Sequence, residues 1–266
     1  MHRLKNIWMI IILFFCISWG FIFGGIIAQS LNLNGLPFVM IYLSGASYII
    51  SLLIYFVVGK DKKRIKKYFN RLFRLGNSFW SVFLGFSIIP ILFVTSVLIM
   101  SFFNPNSQNV RVSETFLADP LFFVFSAFFF GPLPEELWFR GVILEELRSI
   151  VKPVWASIIL GLLWSIWHIP LMFISSTYQN KIAFSFLSGF KYCFSVFLYS
   201  IITDWIYIKN NRSILMAVIF HFMVNFTGEL FSGTQDYKNF QMIFIFCLAV
   251  YALCKINKPN IFLYRS

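Results

Sequence analysis

The chain has 266 residues, of which 59% are hydrophobic, 21% aromatic and only 12% charged. A water-soluble domain of this length carries about 25% charged residues, so too little polar surface remains to cover a globule. These proportions exclude a cytosolic enzyme, a disordered chain and a small disulfide scaffold, and a mean hydropathy of +0.79 marks a membrane protein.

The formal net charge of +12 is concentrated in one place. Eight of the 22 Lys and Arg lie directly after an apolar segment: Lys60, Lys62, Lys63, Arg64, Lys66, Lys67, Arg71 and Arg74. A juxtamembrane cluster of this kind is a cytoplasmic topology determinant that meets the anionic inner leaflet, not a nucleic-acid surface. Cys16, Cys193, Cys247 and Cys254 all lie in apolar stretches without metal-ligand spacing and are expected as small buried hydrophobes.

A helix needs about 20 apolar residues to cross the hydrocarbon layer, and the alternating segments of a barrel are absent. In chain order the spans are expected at 7–28, 37–59, 79–103, 121–144, 154–174, 183–208, 213–231 and 239–256. The first follows a basic stub, Arg3 and Lys5, but lacks a small-residue cleavage pattern and is read as a helix, not a signal peptide. Gly20 and Gly24 within it allow close helix approach, with ordinary packing the simplest use. With the N-terminus inside, seventeen of the 22 basic residues fall in inner segments, three in outer loops and two within spans. That asymmetry places both termini in the cytoplasm. The expected fold is all-α: one polytopic membrane domain over 1–266 with about eight spans, in what the Phe, Ile, Lys and Asn usage suggests is a bacterial plasma membrane.

A charge at mid-span costs about 2.5–3.5 kcal/mol on insertion scales, so the few that occur draw notice. They gather in the fourth span (Glu135, Glu136, Arg140), the fifth (His168) and the seventh (His221, Asn225). Asp204, Lys191 and Glu229 are lesser cases, expected to reach an interface or snorkel. Gly131-Pro132-Leu133-Pro134 interrupts the fourth span, and irregular backbone at membrane depth is tolerated only where protein or a wet cavity surrounds it. On the resumed helix Glu136 and Arg140, four apart, share a face and can pair, which leaves Glu135 pointing elsewhere. A carboxylate so placed is a candidate proton acceptor. Trp164 lies one turn before His168, and His221 and Asn225 again share a face. Taken singly, each His or Asn also reads as interhelical hydrogen-bonding glue. Counting along straight helices puts Glu135 and His221 in the inner half of the bilayer but His168 roughly 21 Å from the inner edge, a mismatch of depth.

The three motifs, Glu-Glu-x-x-x-Arg, aromatic-x-x-x-His and His-x-x-x-Asn, in that order on successive apolar segments, resemble those of the CPBP family. These are the CAAX-protease and bacteriocin-processing (Abi) membrane peptidases, which include the Ras-converting prenyl endopeptidase. The resemblance covers residues 120–230, with Trp164 standing where the family more often has Phe. It implies a catalytic core drawn from the fourth, fifth and seventh spans. Glu135 and His168 would activate water for attack on a peptide carbonyl, His221 and Asn225 would donate to the oxyanion, and Glu136 and Arg140 would support them. A metal-independent mechanism is favoured, and zinc held by Glu135, His168 and His221 is the alternative. The implied substrate is a membrane-associated peptide or protein. A prenyl group is not indicated by the residues themselves, and a pheromone, bacteriocin or signal-peptide remnant is the more natural expectation. Two other functions compete: a silent scaffold or bacteriocin-immunity protein, and a secondary transporter using the broken helix and buried carboxylates.

Overall fold

A computed structural model of the protein describes residues 2–104, 110–175, 177–183, 185–232 and 235–256. Helix α1 (His2–Ser30) turns through Gly35, whose φ of +80° lies in the left-handed region, into α2 (Leu36–Gly59). Asp61 caps the basic helix α3 (Lys62–Leu72): its carboxylate accepts from the amides of Lys63 at 3.0 Å and Arg64 at 3.1 Å. Ser78 caps α4 (Phe79–Phe103) by accepting from the Ser81 amide. Strand β1 (Arg111–Val112), α5 (Glu114–Ala118) and α6 (Pro120–Phe129) follow, then α7 (Pro132–Trp138), a π-helical turn (Phe139–Ile143) and α8 (Leu144–Arg148). Helix α9 (Pro153–His168) runs into a 3-10 turn (Ile169–Phe173), followed by α10 (Tyr178–Ile182), α11 (Phe186–Lys209), α12 (Ile214–Leu230), β2 (Phe231–Ser232) and α13 (Gln235–Ile256).

The protein is thus an all-α, multi-pass membrane protein. Seven stretches among the described residues are long and apolar enough to cross a bilayer, at Ile7–Ser30, Leu36–Gly59, Phe79–Phe103, Pro120–Arg148, Pro153–Phe173, Phe186–Lys209 and Tyr237–Ile256. The remaining expected span corresponds to α12, an apolar helix of 17 residues. That length is at the lower edge of what spans a hydrocarbon core. Large apolar side chains point outward along these helices, with Phe102 and Leu121 more than four-fifths exposed. Lipid, not a protein core, accounts for apolar residues on those faces. The same holds for three of the cysteines: Cys16, Cys247 and Cys254 are exposed, contrary to the expectation of burial, and Cys193 is half-buried.

The chain divides into two compact units, Met1–Asn70 with Pro134–Ser200, and Arg71–Leu133 with Ile201–Ser266. Lipid is as apolar as a leucine side chain, so cohesion within each unit rests on packing and hydrogen bonds. In the first, Phe14 of α1, Tyr48 of α2 and Phe139 of the π turn form an aromatic cluster with Trp138, with centroids 4.9–5.8 Å apart. Trp167 adds a bond from its indole N–H to Ser18 Oγ at 2.7 Å. Of the Gly20/Gly24 pair, a Cβ at Gly20 would meet nothing within 4 Å, whereas Gly24 lies against Met40 and its neighbour Gly25 against Met40 and the Pro37 carbonyl. In the second unit α4 packs against α12 and α13, and α6 against α12. Residues 111–112 pair with 231–232 as a short antiparallel ribbon, and Phe93 stacks on Phe231 at 4.5 Å.

Candidate active site

The fourth expected span is not one helix but four pieces. Helix α6 ends at Phe129 before Gly131, and Pro132 opens α7 at a position where its missing N–H removes no helical bond. Glu135 therefore sits in the first turn of α7. After Trp138 the backbone widens, and the amide of Leu144 reaches back five residues to the carbonyl of Phe139. Such π-helical insertions are rare and are often found at functional sites. Gly141 lies inside the turn because Tyr68 of α3 occupies the space beside it: a Cβ there would stand 2.5 Å from Tyr68 Cε2. The Tyr68 hydroxyl donates to the Leu137 carbonyl at 3.0 Å.

Glu136 and Arg140 form the ion pair that their spacing anticipates, at 2.9 Å, and both are fully buried. The Arg140 guanidinium also donates from Nη2 to the backbone carbonyl and the hydroxyl of Ser200, each at 2.8 Å. Its remaining face lies over the Trp164 indole, 5.1 Å from the ring centroid. Taking an ion pair out of water carries a penalty of several kcal/mol per ion, offset only when further hydrogen bonds satisfy both partners. Ser200 and Trp164 supply those contacts to the arginine.

Glu135 acquires a partner that its own helix does not provide. The Trp164 indole N–H donates to Glu135 Oε2 at 2.6 Å. One turn further along α9, His168 Nδ1 lies 2.8 Å from the Trp164 carbonyl oxygen. A carbonyl only accepts, so Nδ1 carries the proton and Nε2 is the nitrogen with acceptor chemistry in the neutral ring. The His168 ring is further boxed by Trp167, at 4.8 Å, and Tyr192, at 5.7 Å, both edge to face. Glu135, Trp164 and His168 thus form one connected, buried set within the first unit. Depth counted along straight helices therefore does not keep Glu135 and His168 apart: both bond to Trp164.

His221 and Asn225 belong to the second unit, on α12, where they are one turn apart. His221 is buried and Asn225 half-buried. Helix α12 begins at a firm cap: the Ser213 hydroxyl accepts from the Met216 amide at 3.1 Å. Rings on α6 meet rings around these two residues, Phe128 with Phe222 and Phe123 with Phe226. Of the lesser polar residues, Asp204 is fully buried, Lys191 is half-buried and Glu229 is exposed.

Among the described residues no group of three or more His, Cys, Asp or Glu side chains is arranged to hold a metal ion. Sequence reasoning missed one residue and one contact. Ser200, 60 residues from Arg140, carries no signal in any local spacing. Trp164 is visible as the aromatic of its motif, but nothing in the sequence shows that its N–H meets a carboxylate 29 residues earlier.

The fold and this site define a class: a multi-pass helical membrane protein with a buried carboxylate, indole and imidazole joined in one unit. Residues 117–227 match the model of the type II CAAX prenyl endopeptidase Rce1-like family. The chain is also 31% identical, over 235 residues, to CAAX prenyl protease 2 of Methanococcus maripaludis, covering 85% of this chain and 84% of that protein. The chain belongs to this family of CAAX proteases, and it is an intramembrane endopeptidase of the CAAX type.

Proposed function

We propose that Glu135 and His168 activate a water molecule for attack on a peptide carbonyl of a membrane-associated protein, and that His221 and Asn225 stabilise the oxyanion that forms. The observation that carries this is the buried bond of Glu135 to Trp164, whose carbonyl in turn holds His168 in a single tautomer. Glu135 takes the water proton as the oxygen attacks carbon, and passes it to the departing amine when the C–N bond breaks. His168 Nε2 orients the water. The imidazole and amide of α12 are hydrogen-bond donors of the kind that stabilise a developing oxyanion, and removing one such donor typically lowers kcat by about 10²–10³-fold. All seven motif residues lie inside the matched segment 117–227. The reaction on this reading needs no metal, and Glu136 with Arg140 supports the site without touching substrate.

The substrate class follows from the relatives: a protein or peptide ending in a prenylated CAAX sequence, presented from the cytoplasmic leaflet of the cell membrane. Five lysines on and beside α3 (Lys60, Lys62, Lys63, Lys66 and Lys67) are exposed, and on this reading they meet the anionic headgroups there. The arginines of the same cluster are engaged with protein: Arg64 with Glu146 at 2.9 Å, Arg71 with the Tyr207 hydroxyl at 2.6 Å and Arg74 with the Asn211 carbonyl at 2.8 Å.

The test is cleavage of a farnesylated fluorogenic CAAX peptide by the purified protein in nanodiscs. Glu135→Gln and His168→Ala are expected to lose at least about 10²-fold in kcat, and 1,10-phenanthroline to leave the wild-type rate unchanged. Wild-type rates in both variants would refute the assignment. Loss of activity on chelation, restored by zinc, would refute its metal-free form.

A further inference from the structure

We infer that Trp164 is a positioning residue for the catalytic dyad, with the Glu136–Arg140 pair as its backing; this rests on the roles proposed for Glu135 and His168. One residue holds both dyad members by two different groups. Its indole N–H grips Glu135 Oε2 at 2.6 Å, and its backbone carbonyl takes the Nδ1–H of His168 at 2.8 Å. The indole is itself fixed. Arg140 lies over its face at 5.1 Å, Phe139 of the π turn meets it at 6.2 Å, and the ring is buried. Arg140 in turn is pinned at 2.9 Å by Glu136 and at 2.8 Å by Ser200.

The two adjacent carboxylates therefore converge on one ring by different routes. Glu135 bonds its N–H edge directly, and Glu136 braces its face through the guanidinium. Tryptophan suits this position because a rigid bicycle places an N–H donor well beyond the reach of a smaller ring, with only two side-chain torsions to order. Phenylalanine, with no donor, leaves a buried carboxylate oxygen without that bond. A hydrogen bond to a charged group contributes more than a neutral one. Aiming a carboxylate is worth much in rate, because a displacement of about 1 Å in a reacting group can lower it about 10²-fold.

The experiment replaces the N–H and keeps the bicycle. β-(3-Benzothienyl)alanine, introduced at position 164 by nonsense suppression, substitutes sulfur for N–H. It is compared with Trp164→Phe, Glu135→Gln and wild type in the farnesylated-peptide assay, with KM, kcat and thermal midpoint measured for each. The benzothienyl variant is expected to lose about ten- to a hundredfold in kcat, the range for a lost hydrogen bond to a charged group. Its kcat is expected to fall as far as in Trp164→Phe with KM unchanged, while its thermal midpoint, lowered by the lost bond alone, stays above that of Trp164→Phe, which loses packing as well; a merely structural ring would make kcat follow the thermal midpoint. Wild-type kcat in the benzothienyl variant alongside an inactive Glu135→Gln would overturn the positioning role and leave the dyad standing. A kcat that follows the thermal midpoint across the two Trp164 variants would also overturn it, in favour of packing. Wild-type kcat in Glu135→Gln would overturn the dyad and this inference with it.

Discussion

Gly141→Ala tests whether the π turn depends on α3. The added Cβ would stand 2.5 Å from Tyr68 Cε2 and 3.2 Å from its Cζ and hydroxyl oxygen. Carbon atoms rest at about 3.5–4.0 Å, so the tyrosine ring must retreat by about 1 Å. It has little room: it is 2% exposed, with Phe56 edge-on at 5.0 Å and Phe69 at 5.6 Å. Retreat also breaks its 3.0 Å bond to the Leu137 carbonyl. Overpacking of this kind typically costs about 1–3 kcal/mol and the lost bond about 0.5–1.5 kcal/mol. The expected destabilisation is therefore about 1.5–4.5 kcal/mol, read by reversible unfolding of the full chain in mixed micelles. Tyr68→Ala removes the obstacle, so the double variant Gly141→Ala/Tyr68→Ala is expected to match Tyr68→Ala alone. A Gly141→Ala protein within about 0.5 kcal/mol of wild type, the ordinary range of surface substitutions, would refute the steric argument. So would full additivity in the double variant.

Three further outcomes rest on the same contacts. Arg140→Met strands the buried Glu136 charge and is expected to cost about 3–5 kcal/mol, whereas Glu136→Met/Arg140→Met together recovers most of that loss; unfolding curves in which the double variant is worse than either single one would contradict this. The amides of Arg64 and Lys63 hold the Asp61 carboxyl below its ordinary value of 3.8. A depressed folded value means the cap on α3 contributes above that range and is lost as pH falls through the folded value. Protection of the Lys63 and Arg64 amides, taken against the intrinsic exchange rate at each pH, is expected to fall on acidification in wild type but not in Asp61→Asn, and identical pH dependence in both would contradict it. Replacing Lys60, Lys62, Lys63, Lys66 and Lys67 by Gln is expected to weaken the preference for phosphatidylglycerol over phosphatidylcholine, by about 1 kcal/mol per lysine at low salt. Native mass spectrometry of retained lipids reads this, and an unchanged preference would remove the headgroup role.

The amino-acid sequence by itself determines what composition and short spacing govern. Apolar runs of about 20 residues can only be spans or cores, so the expected boundaries at 37–59 and 79–103 meet α2 and α4 almost end to end. The Glu136–Arg140 pair is legible because residues four apart share a helix face whatever the rest of the chain does. The prolines at 132 and 134 announce the broken helix for an equally local reason, the missing N–H. Tertiary structure alone decides three things. It sets a π turn where periodicity shows only more helix, because the room that Tyr68 takes beside Gly141 is supplied by a distant segment. It turns cysteines outward, because in a bilayer apolar character no longer distinguishes inside from outside. And it brings the Trp164 N–H to Glu135, a contact between residues 29 apart on different helices that follows from how α7 and α9 pack, not from either segment's own pattern.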